Sequence, residues 1–536
     1  MARRRIPHIR KGRRALLSAV LLLLAFSVAE TAAQGQELSG SNRRLGEQIL
    51  SLIKSTAAQQ AHWGIEIVSL RDGKELVGWN EDKLFVPAST AKLFVAATAL
   101  IRLGPDFRYL TTVETTGPIE EAGVLRGDLV LVGRGDPNLS GRMLPYNGRT
   151  QRPNSPTKDY EDLAAQIAAR GVRTVEGNLV ADDSYFVWEP LGAGWEVDDL
   201  MWNYGAPVSA LAINDNVLFL TVLPGVVGHP AAVSLEPMVS YYELDNRVMT
   251  LPRAREIPGG GTTTASRSLS IDRKPGSNVL RLWGQLPEGD PGLGRGLAIE
   301  DPPRFAGEFF KQELTRQGVE VKGSVQVRRL PPSEVAELKG APGARESSGI
   351  AVPSSAISSH ESLPLAESLK VILKASQNLH AEMLLRTLGR VRRNVGSTEA
   401  GLEEVKGLLQ KFGIPESEAV LADGSGLSRQ SLVTPRAMIA LLRRMNQSEY
   451  GSLWTGLLPT AGREGSLAER LKGRATAGRI WAKTGSLTGV ASLAGYALNQ
   501  RDEMVAFVLF VNHYNPASID ATNVLDRIAE LIARSR

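Results

Sequence analysis

At 536 residues, with 43% hydrophobic and 22% charged residues, the chain is long enough for several domains and too apolar to be disordered. It has no cysteine, which excludes disulfides, thiol nucleophiles, cysteine acylation and thiolate-bound metals. The formal net charge of +5 belongs to the first 33 residues, which hold seven of the 62 Lys and Arg but one of the 57 Asp and Glu; the remainder is close to neutral and gives no reason to expect nucleic acid as a partner.

Arg3 to Arg14 form a basic head, Ala15 to Val28 an apolar run, and Thr31-Ala32-Ala33 a small-residue site. Residues 1–33 therefore read as a secretory signal peptide, with a periplasmic mature protein and no stable membrane span after cleavage. A linker leads into a helix over Asn42 to Thr56. Trp63 to Leu70 and Lys74 to Trp79 alternate as strands around the turn Arg71-Asp72-Gly73. Val86-Pro87-Ala88 then gives way to an apolar-periodic helix running to Leu103 and stopped by Gly104-Pro105.

From Tyr109 the pattern turns to β, with strands over Leu110 to Glu114 and Val124 to Val132. Helix Asp159 to Arg170 is followed by Gly171-Val172 and two short strands parted by Gly177. Helix Phe305 to Gln317 is followed by Gly318-Val319 and two strands parted by Gly323. This echo predicts one α+β unit split by an insertion. The strand- and turn-rich stretch between, 220–299, reads as a small nested β domain. After a Pro- and Ser-rich return linker, helical patterning covers Leu363 to Arg390, Gly401 to Phe412 and Pro435 to Met445. Strands are expected over Arg479 to Gly485, Gly489 to Asn499 and Glu503 to Asn512, and a final helix over Ile519 to Ala533, packed on the sheet.

Ser89 lies in the first turn of its helix with Lys92 one turn on, so the amine can reach the hydroxyl. A serine needs such a base to become a nucleophile, and a helix N-terminus favours a developing oxyanion. Two more short motifs follow. Ser376-Gln377-Asn378 precedes a helix beginning near His380, and Lys483-Thr484-Gly485-Ser486 ends a strand. The ordered set Ser-x-x-Lys, Ser-x-Asn, Lys-Thr-Gly is the signature of the penicillin-binding and serine β-lactamase superfamily.

The long stretch between Ser89 and Ser376, with Gly133 to Leu139, Gly177 to Phe186, Trp195 to Asn216, Ser376 to Arg386 and Asp423 to Arg429, narrows the resemblance. The chain resembles the D-alanyl-D-alanine carboxypeptidase/endopeptidase family, the low-molecular-mass class C penicillin-binding proteins. The resemblance implies an α/β (α+β) fold: a β-lactamase/transpeptidase-like domain, antiparallel sheet flanked by helices, carrying nested inserts. The expected division is 34–110 with 355–536 as the catalytic domain, 111–219 with 300–354 as an insert, and 220–299 nested within it.

Residue by residue, the resemblance implies Ser89 as nucleophile, Lys92 as its base with a lowered pKa, and Ser376 as proton relay to the leaving D-alanine. Asn378 would hold the substrate amide; Lys483, Thr484 and the Ser486 hydroxyl would face the terminal carboxylate. The N–H groups of Ser89 and Ser486 would form the oxyanion hole. A side pocket for the free end of diaminopimelate would use Asp182, with Asp183 as its competitor, Arg429 and Leu487. The implied partners are peptidoglycan stem peptides and acylating β-lactams, with no cofactor and no metal. The alternatives are a β-lactamase-type hydrolase, against which the missing Glu-x-x-Leu-Asn segment speaks, and a catalytically silent wall-binding protein. No two histidines among His62, His229, His360, His380 and His513 pair at i, i+4 as a metal hydrolase would need.

Overall fold

His62–Ser69 is almost wholly buried along its length and needs a partner on each side. It finds Glu75–Trp79 across the short turn and, on its other edge, Met504–Asn512 from the far end of the chain, paired residue for residue from His62↔Asn512 to Ser69↔Val505. Val490–Leu498 and Ile480–Leu487 complete a five-stranded, wholly antiparallel sheet. Asn512 also clasps the segment leading to Ser89: its Oδ1 accepts Val86 N–H at 2.8 Å and its Nδ2 donates to Val86 O at 3.2 Å. The computed structural model describes residues 39–146, 155–256, 262–335, 352–517 and 519–536. The signal-peptide segment and most of the return linker lie outside the described residues.

Both sheet faces are covered by apolar helix stripes, as strands buried along nearly their whole length require. Arg43–Lys54 and Ala521–Ala533 pack on one face through Ile49, Ile53, Val524 and Ile528. On the other lie Lys92–Leu103, Leu365–Lys374, Asn378–Arg393 and Pro435–Gln447, meeting Val508 and Phe510 in one buried cluster. Among the described residues no helix is long and apolar enough to cross a membrane.

A second five-stranded sheet runs Val325–Leu330, Leu179–Val187, Leu129–Val132, Leu110–Thr115, Ala356–Glu361. The echoed strands lie side by side and parallel, Val325 opposite Leu179, and the echoed helices Lys158–Ala169 and Pro302–Arg316 share the cluster over them. Two three-stranded sheets, Glu243–Leu251/Val279–Pro287/Ser268–Asp272 and Leu293–Ala298/Val217–Leu223/Ala232–Glu236, enclose a smaller core of Leu220, Val248, Leu280 and Leu282.

Three local expectations change. Val124 to Val132 is two strands, Val124–Leu125 and Leu129–Val132, because the Asp128 carboxylate turns to accept Asn178 N–H and breaks the run. The helical pattern over Leu363 to Arg390 is interrupted at Ser376, whose left-handed φ of +60° no α-helix accommodates. Gly451–Leu457 forms a further short helix that sequence periodicity over seven residues is too short to reveal.

Candidate active site

The approach to Ser89 is a tight 3₁₀ turn, Ala88–Ala91, flowing into the α-helix Lys92–Leu103 rather than the first turn of the α-helix itself. Ala88 holds a φ of +48°, a conformation an L-residue keeps only when its surroundings impose it. They do: Pro87 O accepts both Thr90 Oγ1 at 2.6 Å and Ser492 Oγ at 2.7 Å. Gly426 comes so close that any Cβ there would overlap Ala88 O. Gly485, on the edge strand, likewise stands against the Pro87 carbonyl and the Ser89 amide.

Lys92 is fully buried, and its Nζ has three neighbours: Ser89 Oγ at 2.7 Å, Asn378 Oδ1 at 2.7 Å and Ser425 O at 2.6 Å. Two of these can only accept. A neutral amine has two N–H groups for them and one lone pair, which then faces the Ser89 hydroxyl. Burial lowers the Lys92 pKa to about 7, against the opposing pull of the Asp423 and Glu382 carboxylates.

Those carboxylates build the loop that supplies Ser425 O. Buried Glu382 accepts Gly424 N–H at 2.9 Å and Ser425 N–H at 2.8 Å, and Arg386 Nη1 donates to its other oxygen at 3.2 Å. Asp423 accepts Gly426 N–H, Ser428 N–H, Ser425 Oγ and Trp195 Nε1, all within 3.1 Å. Burial and the nearby Asp423 charge raise the Glu382 pKa.

Across the cleft, Lys483 Nζ donates to Ser376 Oγ at 2.8 Å and to Thr484 O at 2.6 Å. Burial, reinforced by the Lys92 charge, drives its pKa well below the usual lysine range. Thr484 Oγ1 shares a hydrogen bond with Ser466 Oγ at 2.7 Å. Asn378 Nδ2 donates to Tyr204 O at 2.8 Å, which fixes its amide so that Oδ1 points to Lys92. Three separate chain segments thus converge on Ser89.

Residues 45–534 match the family described as D-Ala-D-Ala carboxypeptidase 3 (S13). The chain belongs to that family. Within it, the chain is 33% identical over 523 residues to the D-alanyl-D-alanine carboxypeptidase of Actinomadura sp. (strain R39), covering 95% of this chain and 88% of that one. The D-alanyl-D-alanine carboxypeptidase DacB of Haemophilus influenzae is 27% identical over 463 residues, 84% of this chain and 86% of its own. The crystal structure of penicillin binding protein 4 (dacB) from Haemophilus influenzae superposes with a TM-score of 0.74 at 25% identity, covering 90% of this chain and 97% of that one. The family and the α/β fold expected from the resemblance, carried by the three motifs and the long stretch between the first two, are those found.

Two cavities flank Ser89 in this S13-family chain. One, about 270 Å³, is lined by Ser89, Ser376, Ser466, Arg470, Thr484 and Ser486. The other, about 300 Å³, is bounded by Asn378, Glu196, Asp199, Tyr204, Arg429 and Leu487. Arg429 and Leu487 therefore stand where a side pocket would be. Asp182 does not. It is buried in the strand Leu179–Val187, where its Oδ2 accepts Arg328 Nη1 at 2.9 Å and its Oδ1 accepts Ser184 Oγ at 2.6 Å. Its competitor Asp183 is also committed, accepting Ser209 Oγ, Ala210 N–H and Leu211 N–H, with burial raising its pKa to about 7.

The acids facing Arg429 are Glu196, whose carboxylate lies 2.6 Å from its Nε, and Asp199, hydrogen-bonded by the Tyr204 side chain. Both fall inside the Trp195 to Asn216 stretch that carries the resemblance; two adjacent acids at 198 and 199 are the available signal. Glu382 and Asp423 fall inside stretches that carry the resemblance but receive no role from it, and Ser466 lies outside them, because their hydrogen bonds go to other protein groups. A larger cavity, about 570 Å³, lies along Thr398–Lys411 between Leu402, Leu409 and Ile414 and contains none of the motif residues.

Proposed function

We propose that the chain is a serine D,D-peptidase that cleaves the D-Ala-D-Ala end of peptidoglycan stem peptides through an acyl-enzyme on Ser89. The three-cornered seat of Lys92 Nζ carries this reading. Ser89 Oγ attacks the carbonyl of the penultimate D-alanine as its proton passes to Lys92 Nζ. The oxyanion formed is received by the N–H groups of Ser89 and Ser486, on the turn and the edge strand that Gly485 brings together. As the C–N bond breaks, the proton held on Lys92 Nζ is passed on through Ser376 Oγ to the departing amine, which leaves Lys92 neutral again, while Lys483 Nζ donates to Ser376 Oγ. Water then repeats the sequence on the ester and frees Ser89.

Lys483, Thr484 and Ser486 receive the substrate carboxylate; that negative charge favours the ammonium form of Lys483, which burial alone disfavours. The same attack on a D-alanyl–diaminopimelate cross-link gives endopeptidase activity, with a D-centre carboxylate in the same place. β-Lactams, which present a carboxylate beside a strained amide, acylate Ser89 as well. Residues 1–33 serve as the export signal that brings the enzyme to the periplasm. The division into a catalytic domain of 34–110 with 355–536, an insert of 111–219 with 300–354 and a nested domain of 220–299 shifts by a few residues, because Leu110–Thr115 and Ala356–Glu361 both lie in the insert's sheet and Val217–Leu223 in the nested one.

Penicillin-treated protein, digested and mapped by mass spectrometry, should carry one adduct, on the peptide containing Ser89. Cross-linked muropeptides should be cut and D-alanine released from pentapeptides. An adduct elsewhere, or no D-alanine, overturns the reading.

The free end of diaminopimelate is read in the Arg429 cavity, with Arg429 facing its carboxylate and Asp199, in place of Asp182, facing its ammonium. Asp199→Ala should lower kcat/KM about tenfold for diaminopimelate-bearing peptides, as loss of a charge-assisted hydrogen bond does, while plain D-Ala-D-Ala peptides change far less. Asp182→Ala should show no such discrimination. Steady-state kinetics on the paired substrates decide between the two positions.

A further inference from the structure

The inserted part of the chain reaches the Ser-x-Asn motif through Tyr204, whose carbonyl accepts Asn378 Nδ2, and through a second, buried segment. Asn214, Asp215 and Asn216 have φ values of +50°, +58° and +53°, and all three are fully buried. Three successive non-glycine residues in the left-handed region are a costly arrangement that something must sustain. The flanking asparagines do so: Asn214 Nδ2 donates to Val217 O at 2.7 Å, Asn216 Nδ2 to Pro207 O at 2.8 Å, and Ile213 N–H to Asn216 Oδ1 at 3.1 Å. This leaves the Asp215 carboxylate directed at the catalytic domain.

There its Oδ2 accepts Gln377 Nε2 at 2.9 Å and its Oδ1 meets His380 Nε2 at 3.0 Å, while Arg142 of the insert itself pairs with Oδ2. Gln377 is the middle residue of Ser376-Gln377-Asn378. Its other amide atom, Oε1, accepts Leu379 N–H at 2.8 Å and caps the helix beginning at Asn378. One amide is therefore held at both ends, by Asp215 and by the helix start. On either side of it stand the strained Ser376 backbone and the Asn378 side chain that contacts Lys92.

We propose that Asp215 is a positioning residue for the reaction: through Gln377 and His380 it sets the Ser376 hydroxyl and the Asn378 amide against the Ser89–Lys92 pair. The insert is thereby a working part of the acylation machinery and not only a binding appendage. This rests on the acyl-enzyme reading above, in which Ser376 and Asn378 take part.

The test is a cycle on the full mature chain, reading the maximal rate and half-saturation of Ser89 acylation by a fluorescent penicillin. Asp215→Asn replaces one of the two acceptor oxygens by a donor, so Gln377 Nε2 and His380 Nε2 can no longer both donate to residue 215. It should lower the maximal rate about 10- to 100-fold, as misplacement by an ångström or less does, with half-saturation within about threefold and the melting curve retained. Gln377→Glu on that background gives the introduced amide an acceptor again while still capping Leu379 N–H. The double variant should regain most of the lost rate, which a merely structural defect would not.

An unchanged rate in folded Asp215→Asn, or no recovery in the double variant, overturns the proposal. Should Asp215→Asn not fold, Gln377→Ala reads the same link, and an unchanged maximal rate there overturns it equally. Failure of the underlying reading looks different: the wild-type adduct would then lie away from Ser89.

Discussion

Lys92→Ala should acylate with penicillin at least about 100-fold more slowly than the unmodified protein, the loss expected when a general base is removed. The substitution strips Ser89 Oγ of its proton acceptor and leaves Asn378 Oδ1 and Ser425 O facing one another without the amine that bridged them. On the proposed mechanism, the active form of Lys92 is the neutral amine. With its pKa brought down to about 7, the acylation rate should climb tenfold per pH unit below that value and level off above it. In Lys92→Ala this limb should vanish, leaving a flat or hydroxide-driven profile. Stopped-flow acylation over pH 5 to 9 measures both effects, and a retained limb near pH 7 would assign the titration to some other group.

Gly426→Ala should be nearly as damaging, although residue 426 has no side chain to contribute. Its φ of +75° strains any L-residue, and the added methyl would overlap the Ala88 carbonyl oxygen and crowd Ala91 Cβ. Since Ala88 directly precedes Ser89 and is itself held at positive φ, the turn has little room to yield. Backbone strain and overpacking together should cost about 3 kcal/mol. Acylation should fall by more than the melting curve explains, because the displaced backbone carries the nucleophile and its oxyanion-hole N–H. Thermal melting read beside penicillin acylation separates the two; wild-type acylation in a folded variant would mean that the turn tolerates the shift.

Much of the site is legible in the sequence because its chemistry is written in side chains at short spacing. Ser89 and Lys92 are one helical turn apart, and Lys483 and Thr484 are adjacent, so local periodicity alone aligns them. Nor does the convergence of Ser376 on Lys483 need structure to be suspected, since the order of motifs already resembles a known family. What escapes is of another kind. Asp182, like its neighbour Asp183, looks suitable as an acid in a stretch that carries the resemblance, but its ion pair with Arg328 joins strands whose residues lie 146 positions apart, and no local pattern announces such a partner. Asp199 and Glu196 stay hidden because the irregular segment they occupy has no period to show which way it faces. The motif at Ser376 is placed before a new helix by the sequence, but its positive φ is concealed, because the Lys483 contact to its hydroxyl comes from a distant segment.

The clasp between Asn512 and Val86 has a consequence for how the enzyme comes into being. Residues 62–69 are made early, yet their neighbour in the sheet is the strand 504–512, so the nascent chain holds a half-formed sheet until nearly all of it has been synthesised. Pairings this distant carry a large loop-closure entropy and form slowly, whereas the inserted sheets close over shorter spans and can condense first. Ser89, fastened to Asn512 only three residues upstream, acquires its reactive geometry last. On the proposed mechanism, newly made chains should therefore stay inert toward substrate and antibiotic alike until the final strand has docked.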